Sequence, residues 1–299
     1  MQGTIDGFSY GLVTPVAAFL MACLGAALGL RCTARSLRTR RSWKPGGLAL
    51  GSAAIGSGVW TMHFIAMMGF SVTEVPVGYD RFTTFASLVV GIVMVGVGIF
   101  IVGYRGTTPM TLVTGGTITG LGIATMHYLG MAGIRLHGRV GYDTVTVALS
   151  VLIAVVAATA ALWVVVSHRG FLAGLAASAA MGVASTGMHY TAMAAVHVHL
   201  DGAVDDSGGA PPTELLAPML VGPAFFLLLA GVAVLVDPLL VTGRPERSRS
   251  AGAVTGPCGR GGVPAQRIRP RPALREHADR AAARSPRRGS QDLHDWRRG

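Results

Sequence analysis

Three short segments of this sequence each combine one histidine with two methionines and an aromatic residue. They read MHFIAM at 62–67, MHYLGM at 126–131 and MHYTAM at 188–193. Imidazole nitrogen and thioether sulfur are neutral ligands, and the thioether favours soft metal ions, above all Cu(I). The segments hold no carboxylate or thiolate, so Zn²⁺, Mg²⁺ and Ca²⁺ fit them less well. Their composition therefore predicts a copper site.

The spacing within each segment places its ligands on one side of a helix. Residues four apart share a helical face, so each histidine is paired with the methionine that follows it. The pairs are His63 with Met67, His127 with Met131, and His189 with Met193. The methionine before each histidine stands about 100° round the helix and is expected to line an adjoining flank of the same cavity. These three methionines are Met62, Met126 and Met188.

Small and aromatic residues accompany the histidines at fixed offsets. Seven residues before each histidine, two turns along the same face, lies a glycine: Gly56, Gly120 or Gly182. Small residues let helices approach closely in lipid, where packing holds helices together. The residue after each histidine is aromatic, and we assign Phe64, Tyr128 and Tyr190 to packing around the site. The pattern predicts three histidine faces that meet.

The elements that carry these residues are long and apolar. Seven stretches contain no Asp, Glu, Lys or Arg, and each is long enough for the roughly 20 residues that cross a hydrocarbon core. They are 7–30, 45–73, 82–104, 106–134, 144–168, 170–200 and 215–236. Because they are apolar on every face rather than alternating, they favour helices over barrel strands. The predicted fold class is an all-α membrane protein with seven transmembrane helices.

The histidines reveal an internal repeat. They are separated by 64 and 62 residues, which corresponds to one helical hairpin per interval. The sequence therefore predicts three tandem two-helix repeats and a closing seventh helix within residues 1–241. The second, fourth and sixth helices carry the motifs near their C-terminal ends, so all three histidines are expected at similar depth in the outer half of the membrane.

Basic residues predict the orientation, because Lys and Arg in short loops stay on the cytoplasmic side. Those of the first connection are Arg31, Arg35, Arg38, Arg40, Arg41 and Lys44, and the loops after the third and fifth helices hold Arg105 and Arg169. This places the N-terminus outside and the C-terminus inside. We expect a multi-pass protein of the plasma membrane whose first helix remains as an anchor.

The last segment, 242–299, differs sharply in composition. It carries 14 Arg and 5 acidic residues and is rich in Pro, Gly, Ser and Ala. Such a segment buries too little apolar surface to offset its ordering entropy, so we expect a disordered basic cytoplasmic tail. A basic surface beside anionic lipid accounts for the charge, and nucleic-acid binding is not favoured.

Histidine within a membrane span is by default a functional residue, although a structural hydrogen-bond role with methionine as filler is the alternative. Haem is the competing cofactor, since His and Met are its familiar axial ligands. Haem usually takes two ligands where this sequence offers three, but the glycine-rich faces leave room for it. No nucleophile, paired carboxylate or phosphate-binding loop is recognisable, so we do not expect an enzyme.

The three segments on alternate helices of a six-helix unit resemble the MHYT domain, a bacterial integral membrane sensor domain named for that tetrapeptide. The likeness covers about residues 10–200, and only the third copy has the full tetrapeptide, since Phe64 and Leu129 replace Tyr and Thr in the others. The resemblance implies a copper site near the outer membrane face and the sensing of O2, CO or NO. Relatives in that family often couple the domain to cytoplasmic cyclic-di-GMP enzymes or to DNA-binding output.

The sequence thus predicts a copper-binding membrane sensor that signals through an unidentified cytoplasmic or membrane partner, because the tail is too short and polar for a catalytic domain. A copper transport or delivery protein, a haem-binding membrane protein and a structural membrane partner without metal remain the alternatives.

Overall fold

The computed structural model describes residues 3–7, 9–38, 44–167, 171–200 and 212–236, and these form seven helices and six short strands. The helices are α1 (Val13–Arg38), α2 (Lys44–Met68), α3 (Arg81–Arg105), α4 (Pro109–Ala132), α5 (Thr144–Ser167), α6 (Phe171–Ala194) and α7 (Pro212–Val236). The strands are β1 (Ile5–Asp6), β2 (Ser71–Val72), β3 (Gly78–Tyr79), β4 (Ile134–Arg135), β5 (Gly138–Tyr142) and β6 (Val196–Leu200). The predicted basic tail, 242–299, lies outside the described residues.

Five helices are long and apolar enough to cross a membrane by length and composition. These candidate spans are Val13–Leu37, Lys44–Met68, Arg81–Arg105, Thr144–Ser167 and Leu216–Ala233. Helices α4 and α6 are similar in length, but α4 carries five glycines and five threonines, which lower its apolarity. The chain is therefore a multi-pass membrane protein.

Each repeat is a strand–helix–helix–strand unit. The strand before the first helix of a repeat pairs antiparallel with the strand after the second helix. We call these pairs ribbon 1 (β1 with β2), ribbon 2 (β3 with β4) and ribbon 3 (β5 with β6). The helices agree with the predicted all-α class, whereas the sequence did not predict the ribbons. Two of them pair only two residues per strand, which is too short to leave a period-2 pattern.

The three hairpins form a closed ring. Within the hairpins α1 packs on α2, α3 on α4 and α5 on α6, while α2–α3, α4–α5 and α6–α1 contacts join neighbouring hairpins. Helix α7 packs on α1 and α2. In the most apolar 18-residue stretch of α2, 78% of the residues are buried, whereas the corresponding share is 33% in α3 and in α5. The motif-bearing α2 therefore lies inside the bundle, and α3 and α5 lie outside. The ring thereby turns the motifs toward one centre.

The three predicted glycines hold this ring together. A Cβ atom added at Gly56, Gly120 or Gly182 would lie under 3.0 Å from a heavy atom of the next hairpin. The neighbours they meet are Ile92 of α3, Val155 of α5 and Cys23 of α1, respectively. Each glycine therefore allows an inner helix to approach the outer helix of the adjacent hairpin, as close packing in lipid requires.

Hydrogen bonds fix the ribbons to the ends of the helices. The Asp80 amide donates to the Gly133 carbonyl at 2.8 Å, and the Asp143 amide donates to the Ala195 carbonyl at 2.9 Å. Gly133 and Ala195 both stand six residues after a motif histidine. The end of each of these motif helices is thus bonded directly to the start of the outer helix in the same repeat.

In ribbon 1 the Glu74 carboxylate accepts a hydrogen bond from the Thr4 backbone amide, and we call this interaction the carboxylate clasp. The clasp is expected to weaken in acid. Both carboxylate oxygens of Glu74 accept from the Thr4 amide, at 2.9 and 3.1 Å. This bond holds the pKa of the Glu74 carboxyl below its usual value of 4.5. A lowered folded-state pKa means that the clasp contributes at pH above 4.5 and is lost as the pH falls through the lowered value.

We therefore expect Glu74→Gln to reduce the hydrogen-exchange protection of residues 3–6 at neutral pH. The difference from the wild type should shrink as the pH falls through the lowered pKa of Glu74, because that carboxyl then becomes protonated in the wild type as well. Mass-spectrometric hydrogen exchange measures this, and Glu214→Gln in the first turn of α7 is the matched control. Equal protection of residues 3–6 in the wild type and Glu74→Gln at pH 7 would refute the clasp.

Candidate metal centre

The three motif histidines meet at the centre of the ring. His63, His127 and His189 come from α2, α4 and α6, and each is about 1% exposed. The Nδ1 atom of His63 lies 3.0 Å from that of His189 and 3.1 Å from that of His127. The Nδ1 atoms of His127 and His189 are 3.4 Å apart. Three imidazole nitrogens therefore point into one small space.

This triangle has the dimensions of a metal site. An ion about 2.0–2.1 Å from three histidine nitrogens, in tetrahedral or trigonal geometry, separates them by roughly 3.3–3.6 Å. The observed separations of 3.0–3.4 Å are close to that range. The residues present fit a metal ion held by three Nδ1 atoms.

Hydrogen bonding alone cannot satisfy the triangle. A neutral imidazole nitrogen either donates or accepts, so among three mutually adjacent nitrogens at least two have the same role and cannot bond to each other. In addition, the buried Nε2 atoms of His63 and His127 have no hydrogen-bond partner among the described residues. Unsatisfied buried polar atoms are destabilising. An ion that accepts all three Nδ1 lone pairs would resolve the conflict among those three nitrogens, although it would not satisfy the Nε2 atoms.

The aromatic residue after each histidine forms the wall of the site. The rings of Phe64, Tyr128 and Tyr190 lie edge-on to their neighbouring histidines, with centroids 4.5, 4.9 and 5.0 Å apart. The Tyr128 hydroxyl is 2.7 Å from the Ser150 hydroxyl of α5, so it points away from the histidines. Packing of the ring explains why phenylalanine can occupy the position in the first copy.

Five of the six motif methionines belong to the hydrophobic core, and the sixth, Met193, packs against it. Met62, Met67, Met126, Met131 and Met188 are at most 1% exposed, and Met193 is half-buried. Met126 lies against α3, because a Cβ atom on Gly91 would approach its Cγ atom to 3.0 Å. The structure thus brings the three histidines into one cluster, whereas copper ligation by the methionines stays a prediction.

Gly130 is a site residue that the sequence analysis did not single out. A Cβ atom at this position would lie 2.7 Å from Nε2 of His63 and 3.1 Å from Cζ of Phe64. The first and third copies carry Ala66 and Ala192 three residues after their histidines. The glycine at the same position of the second copy was therefore the sequence feature that could have indicated a close contact there. Gly130 makes room for the imidazole of His63.

Gly130→Ala is expected to displace the His63 ring and to weaken Cu(I) binding about tenfold, since misplacing a ligand degrades a site that is otherwise intact. Competition with a coloured Cu(I) chelator would measure the affinity. Gly187→Ala in α6 is the matched control, because a Cβ atom there would meet nothing within 4 Å. Unchanged copper affinity in Gly130→Ala would contradict a role for the His63 ring position.

Apolar spans around a buried three-histidine cluster define a multi-pass membrane protein with a candidate metal centre. A family model described as the bacterial signalling protein N-terminal repeat, MHYT, matches residues 56–115 and 120–178. Both matches begin at one of the helix-packing glycines, Gly56 or Gly120, and run through a motif histidine. The chain belongs to the MHYT-domain family. The third copy, around His189, is outside these matches but joins the same cluster.

Several bacterial signalling proteins are similar to the chain. MucR of Pseudomonas aeruginosa, named a bifunctional diguanylate cyclase/cyclic di-GMP phosphodiesterase, is 33% identical over 240 residues, which is 77% of this chain and 34% of MucR. The cyclic di-GMP phosphodiesterase NbdA of the same organism is 32% identical, covering 65% of this chain and 26% of NbdA. The signalling protein YkoW of Bacillus subtilis is 29% identical over 159 residues, or 50% of this chain and 20% of YkoW. The chain thus spans about a third or less of these relatives. No solved structure matches the chain.

Proposed function

We propose that this protein is the copper-binding input unit of a membrane signalling system. The observation that carries the proposal is the triangle of three buried Nδ1 atoms at 3.0–3.4 Å. Three neutral imidazoles on motifs that also carry methionines, without a carboxylate or thiolate in the cluster, favour copper over harder ions. Copper held by three imidazoles has a further coordination position, at which O2, CO or NO is the proposed signal.

The same distances argue against haem between these helices. Two axial nitrogens on opposite sides of a haem iron are separated by about two metal–nitrogen bonds, roughly 4 Å, with the macrocycle between them. The Nδ1 atoms here are all within 3.4 Å of one another. A macrocycle would therefore require the motif helices to move apart.

Strand pairing supports a topology in which α4 and α6 also cross the membrane. Helix α3 leaves ribbon 2 and α4 returns to it, while α5 leaves ribbon 3 and α6 returns to it. Because α3 and α5 are candidate spans, their partners must run back across the same thickness. Arg31, Arg35 and Arg105 lie toward the helix ends away from the ribbons. The positive-inside rule then supports an orientation with the ribbons, the histidines and the N-terminus near the outer face and the C-terminus inside.

The signalling half of the proposal rests on the relatives. Their printed names describe signalling proteins and enzymes of cyclic di-GMP turnover, and the chain matches only a minor part of each. We propose that the membrane domain, 1–241, passes the state of its metal site to a signalling partner, with 242–299 as a basic cytoplasmic tail. Ligand binding would bias the packing of α2, α4 and α6, which hold the site.

Metal analysis and optical spectroscopy of the purified protein test this function. We expect about one copper per chain, its absence from a His63→Ala, His127→Ala, His189→Ala triple variant, and no Soret band. Zinc or no metal in the wild type after exposure to both ions would overturn the proposal. Reconstituted vesicles distinguish transport, because a sensor binds copper without moving it across the membrane, whereas sustained copper uptake would indicate a transporter.

A further inference from the structure

A buried metal site needs a route to solution. The three histidines are about 1% exposed, and the ribbons lie at the ends of the motif helices that carry them. We call the boundary between two neighbouring ribbons a seam. Among the described residues, the seams are the places at which an ion could pass from solution to the histidines. There are three such seams, and the described contacts differ from one to the next.

The seam between ribbons 1 and 3 is closed by backbone contact. The Gly3 amide donates to the Val198 carbonyl at 2.9 Å. A Cβ atom on Gly3 would lie 3.2 Å from Cγ1 of Val72 and 3.3 Å from Cγ1 of Val198. Side chains of both ribbons thus meet at Gly3, and the described residues are in close contact at this seam.

The seam between ribbons 1 and 2 is closed by the chain that joins them. Val72 and Val75 form a β-bridge, and Val75 and Val77 are 7% and 4% exposed. Tyr79 of β3 is 7% exposed, and its ring lies edge-on to Phe64 with centroids 6.3 Å apart. Packed apolar side chains therefore fill this seam down to the wall of the histidine site.

The seam between ribbons 2 and 3 contains a cavity of about 410 Å³. Its lining consists of Tyr128, Met131 and Ala132 from the end of α4, with Ile134, Arg135, Leu136, Gly138, Val140 and Tyr142 from the ribbons. We call this cavity the vestibule. Met131 is 1% exposed yet lines it, so its side chain forms the buried end of the space.

We propose that the vestibule is the path by which Cu(I) reaches the histidines, and that Met131 is the ligand that passes the ion on to His127. This inference rests on the proposed copper function. Met131 stands four residues after His127 on the same helical face, so a thioether in the vestibule is one turn from an imidazole of the cluster. None of the lining residues is a carboxylate or a thiol, which leaves the thioether as their soft ligand.

The charges at the vestibule are compatible with a monovalent cation. Arg135 is the one charged lining residue, and its side chain is 70% exposed, so its guanidinium extends into solvent. The same guanidinium lies 3.9 Å from the Asp80 carboxylate, which offsets its charge. The remaining wall is apolar or aromatic. A cation that enters the vestibule therefore passes an arginine whose charge is offset by Asp80, and then reaches the thioether of Met131.

The kinetics of copper loading and extraction test the path. Met131→Leu removes the sulfur at similar volume, and Ala132→Phe fills the vestibule from its wall. Met110→Leu, at an exposed methionine near the start of α4, and Ala194→Phe, at the position of the third copy equivalent to Ala132, are the controls, because neither residue lines the vestibule. Cu(I) is added to the detergent-purified protein and withdrawn by bathocuproine disulfonate, with the chelate absorbance followed over time.

We expect both vestibule variants to load and release copper about tenfold more slowly than the wild type, with the controls within about twofold and the equilibrium stoichiometry unchanged. Wild-type rates in both variants, or slowing in only one of them, would overturn the proposal. Loss of equilibrium copper in Met131→Leu would also overturn it, since Met131 would then be a permanent ligand. A wild type that binds no copper is a different result, which refutes the proposed function itself.

Discussion

Leucine in place of His127 is expected to abolish tight Cu(I) binding while leaving the metal-free protein at least as stable as the wild type. The Nδ1 atom of His127 lies 3.1 Å from that of His63 and 3.4 Å from that of His189. Changes to residues that only orient a metal ligand weaken binding by about 10–100-fold, so loss of a ligand should exceed about 100-fold.

The metal-free protein should tolerate this change because the remaining histidines can satisfy each other. The Nδ1 atoms of His63 and His189 are 3.0 Å apart, and two such nitrogens can form one hydrogen bond, whereas three cannot all bond with one another. The Nε2 atom of His127, which lacks a partner in the described part of the chain, is also removed. Replacing an unsatisfied buried polar group by an apolar one is neutral or stabilising.

Thermal unfolding in detergent, with and without Cu(I), measures both effects. Copper should raise the melting temperature of the wild type, since a ligand at 100 times its Kd stabilises the folded state by about 2.7 kcal/mol. It should not raise that of His127→Leu. His197→Leu, at an exposed position of β6, is the control and should keep the copper response. Wild-type copper affinity in His127→Leu would show that the cluster is not the metal site.

Gly120→Ala is expected to cause the second large effect, a destabilisation of about 2 kcal/mol or more through overpacking. A Cβ atom at Gly120 would lie 2.7 Å from both the Ala154 carbonyl oxygen and the Val155 amide nitrogen of α5. These are backbone atoms of a helix, so they cannot turn aside as the end of a side chain can. Helices α4 and α5 would have to separate, which would also shift His127 two turns further along α4.

The unfolding free energy of Gly120→Ala should be compared with that of Gly187→Ala. Gly187 also lies in a motif-bearing helix, but a Cβ atom there would meet nothing within 4 Å. The control should be unchanged or more stable by up to about 1 kcal/mol, because alanine favours helix over glycine. A Gly120→Ala variant as stable as this control would mean that the α4–α5 contact is not limited by glycine.

The site could be predicted from the sequence because it is repeated. One intramembrane histidine does not reveal its partners, whereas three histidines at intervals of 64 and 62 residues occupy equivalent places in three hairpins. Equivalent places in a closed ring of hairpins lie at the same depth and point toward the same centre. The packing glycines followed from the same register, since they precede the histidines by seven residues.

The surroundings of the site could not be predicted in the same way. Ribbons 1 and 2 pair two residues per strand, so their formation depends on the hairpin ends being brought together rather than on a local pattern. The direction of Met126 toward Gly91 of α3 depends on which helix occupies the neighbouring place in the ring. The vestibule beside Met131 depends on how the ribbons pack, since in the described part of the chain the other two seams are in close contact and the one between ribbons 2 and 3 contains a cavity.

The amino-acid sequence by itself determined the helices, the threefold repeat and the identity of the three histidines, because charge-free runs and fixed spacings are local properties of a chain. Only the tertiary structure decided that the Nδ1 atoms face one another at 3.0–3.4 Å, that Gly130 makes room for the His63 ring, and that a cavity lies between ribbons 2 and 3. These features depend on tenths of an ångström between helices distant in sequence, and such distances are set by how the hairpins pack around their glycines.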